Sequence, residues 1–529
     1  MPFETGLSHR PSASSMWTKI ERIITARRGA YALAVILLAS LAFRVHVSNE
    51  CSLWLDEMTT QTGVLKPWRA VLAGPSREHP PLMYVLVRLV FDLFGQSRTA
   101  LRSVSLFFGC VMLYALYELC LELRLPVKRA LIVAGTFALT PFIIRHATEA
   151  RHYALLASFI ILGMTRLLRL VRGRPRVRDL AGFVLCGMAA ACTQYFGLAY
   201  AFALFGTLVL GIRPVWRRFS RAGRIALLPS LSALIAVLGV ITLRAVDVGT
   251  RFAPRKASAA APDIRLNEQL FDEIIAQFSF MTYETWSWFV QPLLTFVGLA
   301  LLSWRLRGVA RLLPLGIGVA PGVAALFIPS SHFLTARYLA PSLVLCHLAA
   351  GIALFAAYDR LRALLAQGGR AWRAAPVVGW LALAGLVGAR VHEFPNGYSA
   401  GGDDYEALQR YFDERLAQNT RVVVYVGYLG QILFDQEYRM VSRVIKLESF
   451  EPVPGIDRYL VVEVHAGARR AAFESLVQRK LGVSLEAWRA LPLAELPHSV
   501  YQPPVKAHLV QLPSDFVPPP APKSRPRKR

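Results

Sequence analysis

Two adjacent carboxylates, Asp56 and Glu57, follow the first long apolar run, within Cys51-Ser-Leu-Trp54-Leu-Asp56-Glu57-Met-Thr-Thr60. Further along come Glu78-His79-Pro80-Pro81, Glu149-Ala-Arg151-His152-Tyr153 and Arg337-Tyr338, each beside another apolar run. Ionisable groups at membrane depth are costly and are usually retained as pairs or for function. Together these side chains could support glycosyl transfer from a lipid phosphate. That reaction needs a base for the acceptor hydroxyl, and cations for the charge that grows on the departing phosphate. A phosphate leaves without a general acid, so one carboxylate suffices, whereas hydrolases place an acid and a base across the sugar. In this chemistry Asp56 is the general base, and direct displacement inverts the anomeric centre.

Each motif also has a plainer reading. Asp56 and Glu57 suit the start of a helix or a solvated loop. His79-Pro80-Pro81 suits a rigid turn into a helix, with Tyr84 as an interface aromatic. Glu149 and Arg151 could pair with each other, Arg337 and Tyr338 could anchor an interface, and His332 could be structural. His146 and His152 flank Glu149 without an assigned role. Arg251, Arg255 and Lys256 suit a solvated or headgroup-facing run. Glu78, His79 and His332 could offer a divalent metal three donors, but no ligand spacing supports one, and no cofactor is firmly implied.

The elements that must position these residues are membrane helices. The chain has 529 residues, of which 54% are apolar, and a net charge of +26. Its mean hydropathy is +0.41. The apolar residues fall in runs of roughly 15–20, the length that spans a bilayer. The arginines cluster between those runs, as cytoplasmic loops require, and no basic soluble module suggests nucleic acid. Six cysteines without CxxC spacing argue against a disulfide framework or a zinc site.

Reading the arginine clusters as cytoplasmic gives about eleven spans. They are expected at 29–45, 101–121, 130–144, 154–168, 180–212 as two short helices, 225–243, 286–302, 312–328, 339–357 and 376–389. The two helices of 180–212 hinge near Gln194-Tyr195-Phe196-Gly197. Leu82–Phe94 is too short and too charged to span and reads as an interfacial or re-entrant helix. The organisation that follows is a cytoplasmic lead at 1–28 and a transmembrane domain at 29–390, with outer loops at 47–100 and 244–285. An outer α/β module follows at 391–513, then a disordered basic tail at 514–529. In that module 404–416 and 468–481 read as amphipathic helices, and 422–426 and 459–464 as buried strands.

The ordered motifs resemble those of the GT-C glycosyltransferases, in the bacterial branch similar to protein O-mannosyltransferases and the aminoarabinose transferase of lipid A (glycosyltransferase family 39-type). The matching residues are Trp54-Leu-Asp56-Glu57; Glu78-His79-Pro80-Pro81-Leu-Met-Tyr84; Phe94-Gly95 followed by Ala100-Leu-Arg102; Glu149-Ala-Arg151-His152-Tyr153; Gln194-Tyr195-Phe196-Gly197; and Arg337-Tyr338-Leu-Ala-Pro341. The resemblance implies a polytopic α-helical membrane enzyme of the inner membrane, with its N-terminus cytoplasmic and its C-terminal module periplasmic. It implies Asp56 as base and a polyprenyl-phosphate sugar as donor. Glu57, Glu78, His79, Arg102, Glu149, Arg151, Tyr153, Arg337 and Tyr338 would contact substrate or donor. The aminoarabinose branch carries lysine where this chain has His79. The acceptor would be a periplasmic glycolipid, glycan or protein. The alternative is a lipid or glycan transporter, which the outer clustering of charge and the lack of an internal repeat argue against.

Overall fold

The structure is a computed structural model that describes residues 13–50, 53, 55–75, 79–173, 175–252, 287–326 and 336–367, five strands between 421 and 511, and residues 475 and 478. The chain divides into two compact units. One is Met1–Ser48 with Lys66–Phe394, and the other is Asn49–Leu65 with Pro395–Arg529.

The first unit is helical among its described residues. Its helices are α1 (Ala13–Glu50, whose last two residues fall in the second unit), α3 (Trp68–Leu72), α4 (Leu82–Phe94), α5 (Arg98–Glu122), α6 (Val127–Ala138), α7 (Pro141–Thr148) and α8 (Tyr153–Arg172). After these come α9 (Val177–Thr193), α10 (Gly197–Leu210), α11 (Ile212–Arg218), α12 (Arg221–Phe252), α13 (Ser287–Arg305), α14 (Leu313–Gly318), α15 (Ala320–Leu326) and α16 (Ala340–Gln367). Helix α2 (Leu55–Val64) belongs to the second unit.

Among the described residues five segments are long and apolar enough to cross a membrane, at Arg27–Asn49, Arg98–Glu122, Tyr153–Arg172, Arg221–Asp247 and Arg337–Leu364; the bent pair α10 and α11 makes up to six. Helix α8 is the central element. It packs on α5 and α9 and also touches α10 and α16. Helices α1 and α12 are peripheral and expose Val35, Leu38, Ile225, Leu228, Leu243 and Val246. In water such faces would be association surfaces, whereas in a bilayer they meet lipid. The chain is thus a polytopic helical membrane protein.

Two expected spans are broken helices. The apolar run at 130–144 divides into α6 and α7, because Thr140 is extended (φ −73°, ψ 133°) ahead of Pro141 at the start of α7. Proline disfavours the helical region for the residue before it. The run at 312–328 divides into a 3-10 turn, α14 and α15. The hinge expected near Gln194 is present: Gln194 is extended (φ −157°, ψ 144°) at the end of α9, and α10 starts at Gly197. Helix α4 has the bounds read from the sequence and only 13 residues, about 20 Å of helix against a hydrocarbon core of about 30 Å. The run at 376–389 lies outside the described residues.

Polar ties fix the bundle. Arg169 reaches from α8 to two carboxylates of α5, Glu118 at 2.7 Å and Glu122 at 3.0 Å. In the core the Tyr200 hydroxyl donates to Ser342 Oγ (2.8 Å), which donates to the Ile317 carbonyl (2.6 Å). That chain joins α10, α16 and α14 with both hydroxyls satisfied. Helices α13 and α16 cross closely at Gly298, where a Cβ would lie 1.8 Å from the Ala349 carbonyl oxygen. Small residues permit such approach in membranes.

In the second unit five strands form one sheet: β1 (Arg421–Tyr425), β2 (Val444–Lys446), β3 (Arg458–Glu463), β4 (Leu493–Leu496) and β5 (Val505–Gln511), in the order β2-β1-β3-β5-β4. β1 pairs in parallel with β2 and β3, and β5 runs antiparallel to β3 and β4. The strands expected at 422–426 and 459–464 correspond to β1 and β3. The expected helix at 404–416 lies outside the described residues. That at 468–481 is described only at Ser475 and Gln478, both helical.

Candidate functional site

In the first unit a cluster of charged and aromatic side chains forms where α7 ends and α8 begins. Helix α7 is only eight residues long and stops at Thr148, and Glu149 turns the chain with extended backbone (φ −77°, ψ 141°). The Arg151 amide then bonds the Glu149 carbonyl at 2.7 Å. This short turn holds Glu149, Arg151 and His152, all nearly buried. The neighbouring span α5 supports it, since Ser105 Oγ donates to the Arg151 carbonyl at 2.9 Å.

Glu149 does not pair with Arg151. Its carboxylate accepts from Arg145 Nε at 3.0 Å and from His146 Nδ1 at 3.1 Å. Both partners lie on its own helical turn, at the i,i+4 and i,i+3 spacings that bring helical side chains together. Burial opposes ionisation of Glu149, but His146, Arg145 and Arg337 outweigh it and hold the carboxyl well below its usual range. His146 is kept neutral by burial, against the pull of Glu149. It therefore serves Glu149 as a neutral N–H donor.

Arg151 instead reaches the loop before α4, where its Nη2 donates to His79 Nε2 at 3.2 Å. A guanidinium can only donate, so His79 accepts with a lone pair and is neutral. The His79 ring lies 4.4 Å from that of His152. His152 in turn lies 4.7 Å from the Tyr153 ring and stacks at 6.4 Å on Tyr338. The Arg337 guanidinium sits 5.7 Å from the centre of the Tyr153 ring and 5.9 Å from that of Tyr338. Both imidazoles are driven well below their ordinary pKa, His79 by burial, Arg151 and Arg337, and His152 by burial, His79 and the same two arginines.

Arg102, at the start of α5, has another setting. Ser97 caps that helix by accepting from the Ala100 amide at 3.1 Å. Arg102 is buried and donates to the Ser48 carbonyl in the last turn of α1. There it meets a carbonyl without a helical partner and the negative end of the helix dipole. Arg44, also on α1, is fully buried. Gly109 leaves room for it, since a Cβ there would lie 2.5 Å from Arg44 Nη1.

In the second unit, Asp56 and Glu57 occupy the first turn of α2, with Asp56 half-buried and Glu57 buried. The Thr60 hydroxyl donates to the Asp56 carbonyl at 3.0 Å. Acidic residues in a first turn suit the helix dipole, so the plainer reading of this pair has a physical basis too. Trp54, Glu78 and His332 lie outside the described residues, and the described residues hold no group of three or more candidate metal ligands.

The cluster thus brings together His79, Glu149, Arg151, Tyr153, Arg337 and Tyr338 from the residues read as substrate-binding. It adds Arg145, together with His146 and His152, to which the sequence assigned no role. The Arg145/Glu149 spacing could have revealed the first, but no local signal marks His152 as a partner of His79. Two guanidiniums, two neutral imidazoles and two aromatic rings at the start of a long helix can receive an anion attached to an apolar chain.

Residues 78–242 match the family described as dolichyl-phosphate-mannose-protein mannosyltransferase, which bears out the resemblance over that stretch. No curated protein matches the chain in sequence. Among solved structures it is similar to ArnT from Cupriavidus metallidurans bound to undecaprenyl phosphate, at 14% identity and TM-score 0.48, covering 90% of this chain and 97% of that one. It is also similar to the Archaeoglobus fulgidus oligosaccharyltransferase in complex with zinc and sulfate, at 13% identity and TM-score 0.49, covering 84% of this chain and 69% of that one.

Proposed function

We propose that this chain is a membrane glycosyltransferase that moves a sugar from a polyprenyl-phosphate donor to an acceptor at the outer face of a bacterial inner membrane. The observation that carries this reading is the family match, whose bounds contain His79, Arg102, Glu149, Arg151 and Tyr153. The electrostatics of the cluster support it. Arg151 and Arg337 supply fixed positive charge for a phosphate that gains charge as the sugar departs. Glu149 keeps its own partners in Arg145 and His146. Tyr153 and Tyr338 provide apolar faces beside the charge.

Asp56 is the general base in this reading. It takes the acceptor hydroxyl proton as that oxygen attacks the anomeric carbon, the bond to the phosphate oxygen breaks, and the configuration inverts. Glu57 and Glu78 orient the sugar or the acceptor. Arg102 braces α1 against α5 and contributes its charge to the same face. Helix α4 is the juxtamembrane helix, the arginine-rich loops are cytoplasmic, and the chain crosses the membrane about eleven times. The sheet with residues 391–513 forms the periplasmic module, and the acceptor is a glycolipid, glycan or protein.

The test is mass spectrometry of envelope glycans, glycolipids and glycoproteins from cells carrying the wild-type chain or Asp56→Asn. A glycan present with the wild type and lost with a stably inserted Asp56→Asn supports the reading. Near-normal product from that variant removes Asp56 as the base, and identical glycan profiles with and without the chain remove the enzyme reading.

A further inference from the structure

The unused feature of the cluster is the His79–His152 pair. His152 is the residue at which α8 begins, and that helix has 20 residues. The first amides of a helix lack internal partners and carry the positive end of its dipole. His152 is only 2% exposed, yet its Nε2 is buried with no hydrogen-bond partner among the described residues. An unmet buried nitrogen is costly, so an orphan at a cationic helix start points to an acceptor that arrives from outside.

The groups facing the pair are Arg151 on the α7–α8 turn, Arg337 and Tyr338 on the 3-10 turn Ala336–Leu339, and Tyr153 on α8. His146 packs on Tyr153 at 5.1 Å and is tied to Glu149. Among the described residues the nearest charges around the pair are both positive. They keep the imidazoles neutral, and with the ring centres 4.4 Å apart both rings could not be charged at once. An incoming anion reverses that balance.

We infer that the pair is a proton-linked anion site. A lipid phosphate binds against His152 Nε2 at the start of α8, and the two imidazoles together take up one proton from solvent as it enters. If the proton resides on His79, the ring can no longer accept from Arg151, and that guanidinium N–H becomes available to the phosphate. If it resides on His152, Nε2–H donates directly to a phosphate oxygen. Either way the proton is held by the pair. Donor binding then tightens as pH falls, and the extra charge on the leaving phosphate monoester is partly neutralised before release. The inference rests on the lipid-phosphate reading above.

The experiment uses the full chain in detergent and two probes, a short polyprenyl methyl phosphodiester and the corresponding phosphate monoester. The diester does not titrate between pH 6 and pH 8, so any pH dependence of its binding belongs to the protein. Calorimetry in buffers of different ionisation enthalpy should show uptake approaching about one proton per diester bound, with affinity falling by up to about tenfold per pH unit. His152→Gln and His152→Phe, the second keeping a ring to stack on Tyr338, should weaken diester binding at every pH and, in addition, abolish the proton uptake and flatten the pH dependence. pH-independent diester binding by the wild type overturns the proton site and leaves the donor reading standing. Uptake that persists in both variants also overturns it. No binding of either probe at any pH overturns the donor reading and the proton site with it.

Discussion

Glu149 illustrates how a residue's partner matters more than its neighbour in the motif. Glu149-Ala-Arg151 reads as an ion pair, but the carboxylate is satisfied by Arg145 and His146, and Arg151 is released toward His79. Glu149→Gln should therefore lower thermal stability, by about 1–3 kcal/mol for a buried charged acceptor, as read from unfolding in detergent. The neutral imidazoles make a pH prediction for the ligand-free protein. Their folded pKa values are depressed, so below about 6.5 the unfolded chain binds more protons and stability rises with pH through that range. The melting temperature should fall between pH 7.5 and pH 5, and His152→Gln should shrink that fall.

At the scale of elements, breaks and close crossings decide the architecture. Pro141 ends α6 early and starts α7 anew, and this puts the Arg145–Glu149 turn against α5 and α8 instead of extending one straight span. The α13–α16 crossing depends on Gly298 having no side chain. Gly298→Leu must push the helices apart, and overpacking costs typically about 1–3 kcal/mol. We expect a lower melting temperature and poorer membrane accumulation, while Gly239→Ala, in open space on α12, should have little effect.

At the scale of the molecule, the +26 charge is a matter of topology. Arginines at 166–178, 213–224 and 305–311 separate the apolar helices, and the positive-inside rule assigns those loops to the cytoplasm. Alkaline phosphatase fused after residue 513 should then be active, and the same reporter fused at Gly173 should be inactive. The opposite pattern would invert the orientation and remove the outer-face site.

The sequence by itself determined the class of the molecule. Span-length apolar runs, arginine-marked loops, the hinge at Gln194, the bounds of α4 and the strands at 421–425 and 458–463 follow from hydropathy, charge and β-branched runs, all local properties of the chain. It also singled out most of the charged residues that cluster. Only the tertiary structure decided who meets whom. His79 and Arg151 are 72 positions apart, and Tyr338 lies far beyond both. Packing of α4, α5 and α8 with the 3-10 turn before α16 brings them together. Their pairing depends on a buried geometry in which guanidiniums keep imidazoles neutral, and no periodicity or spacing along the chain encodes that.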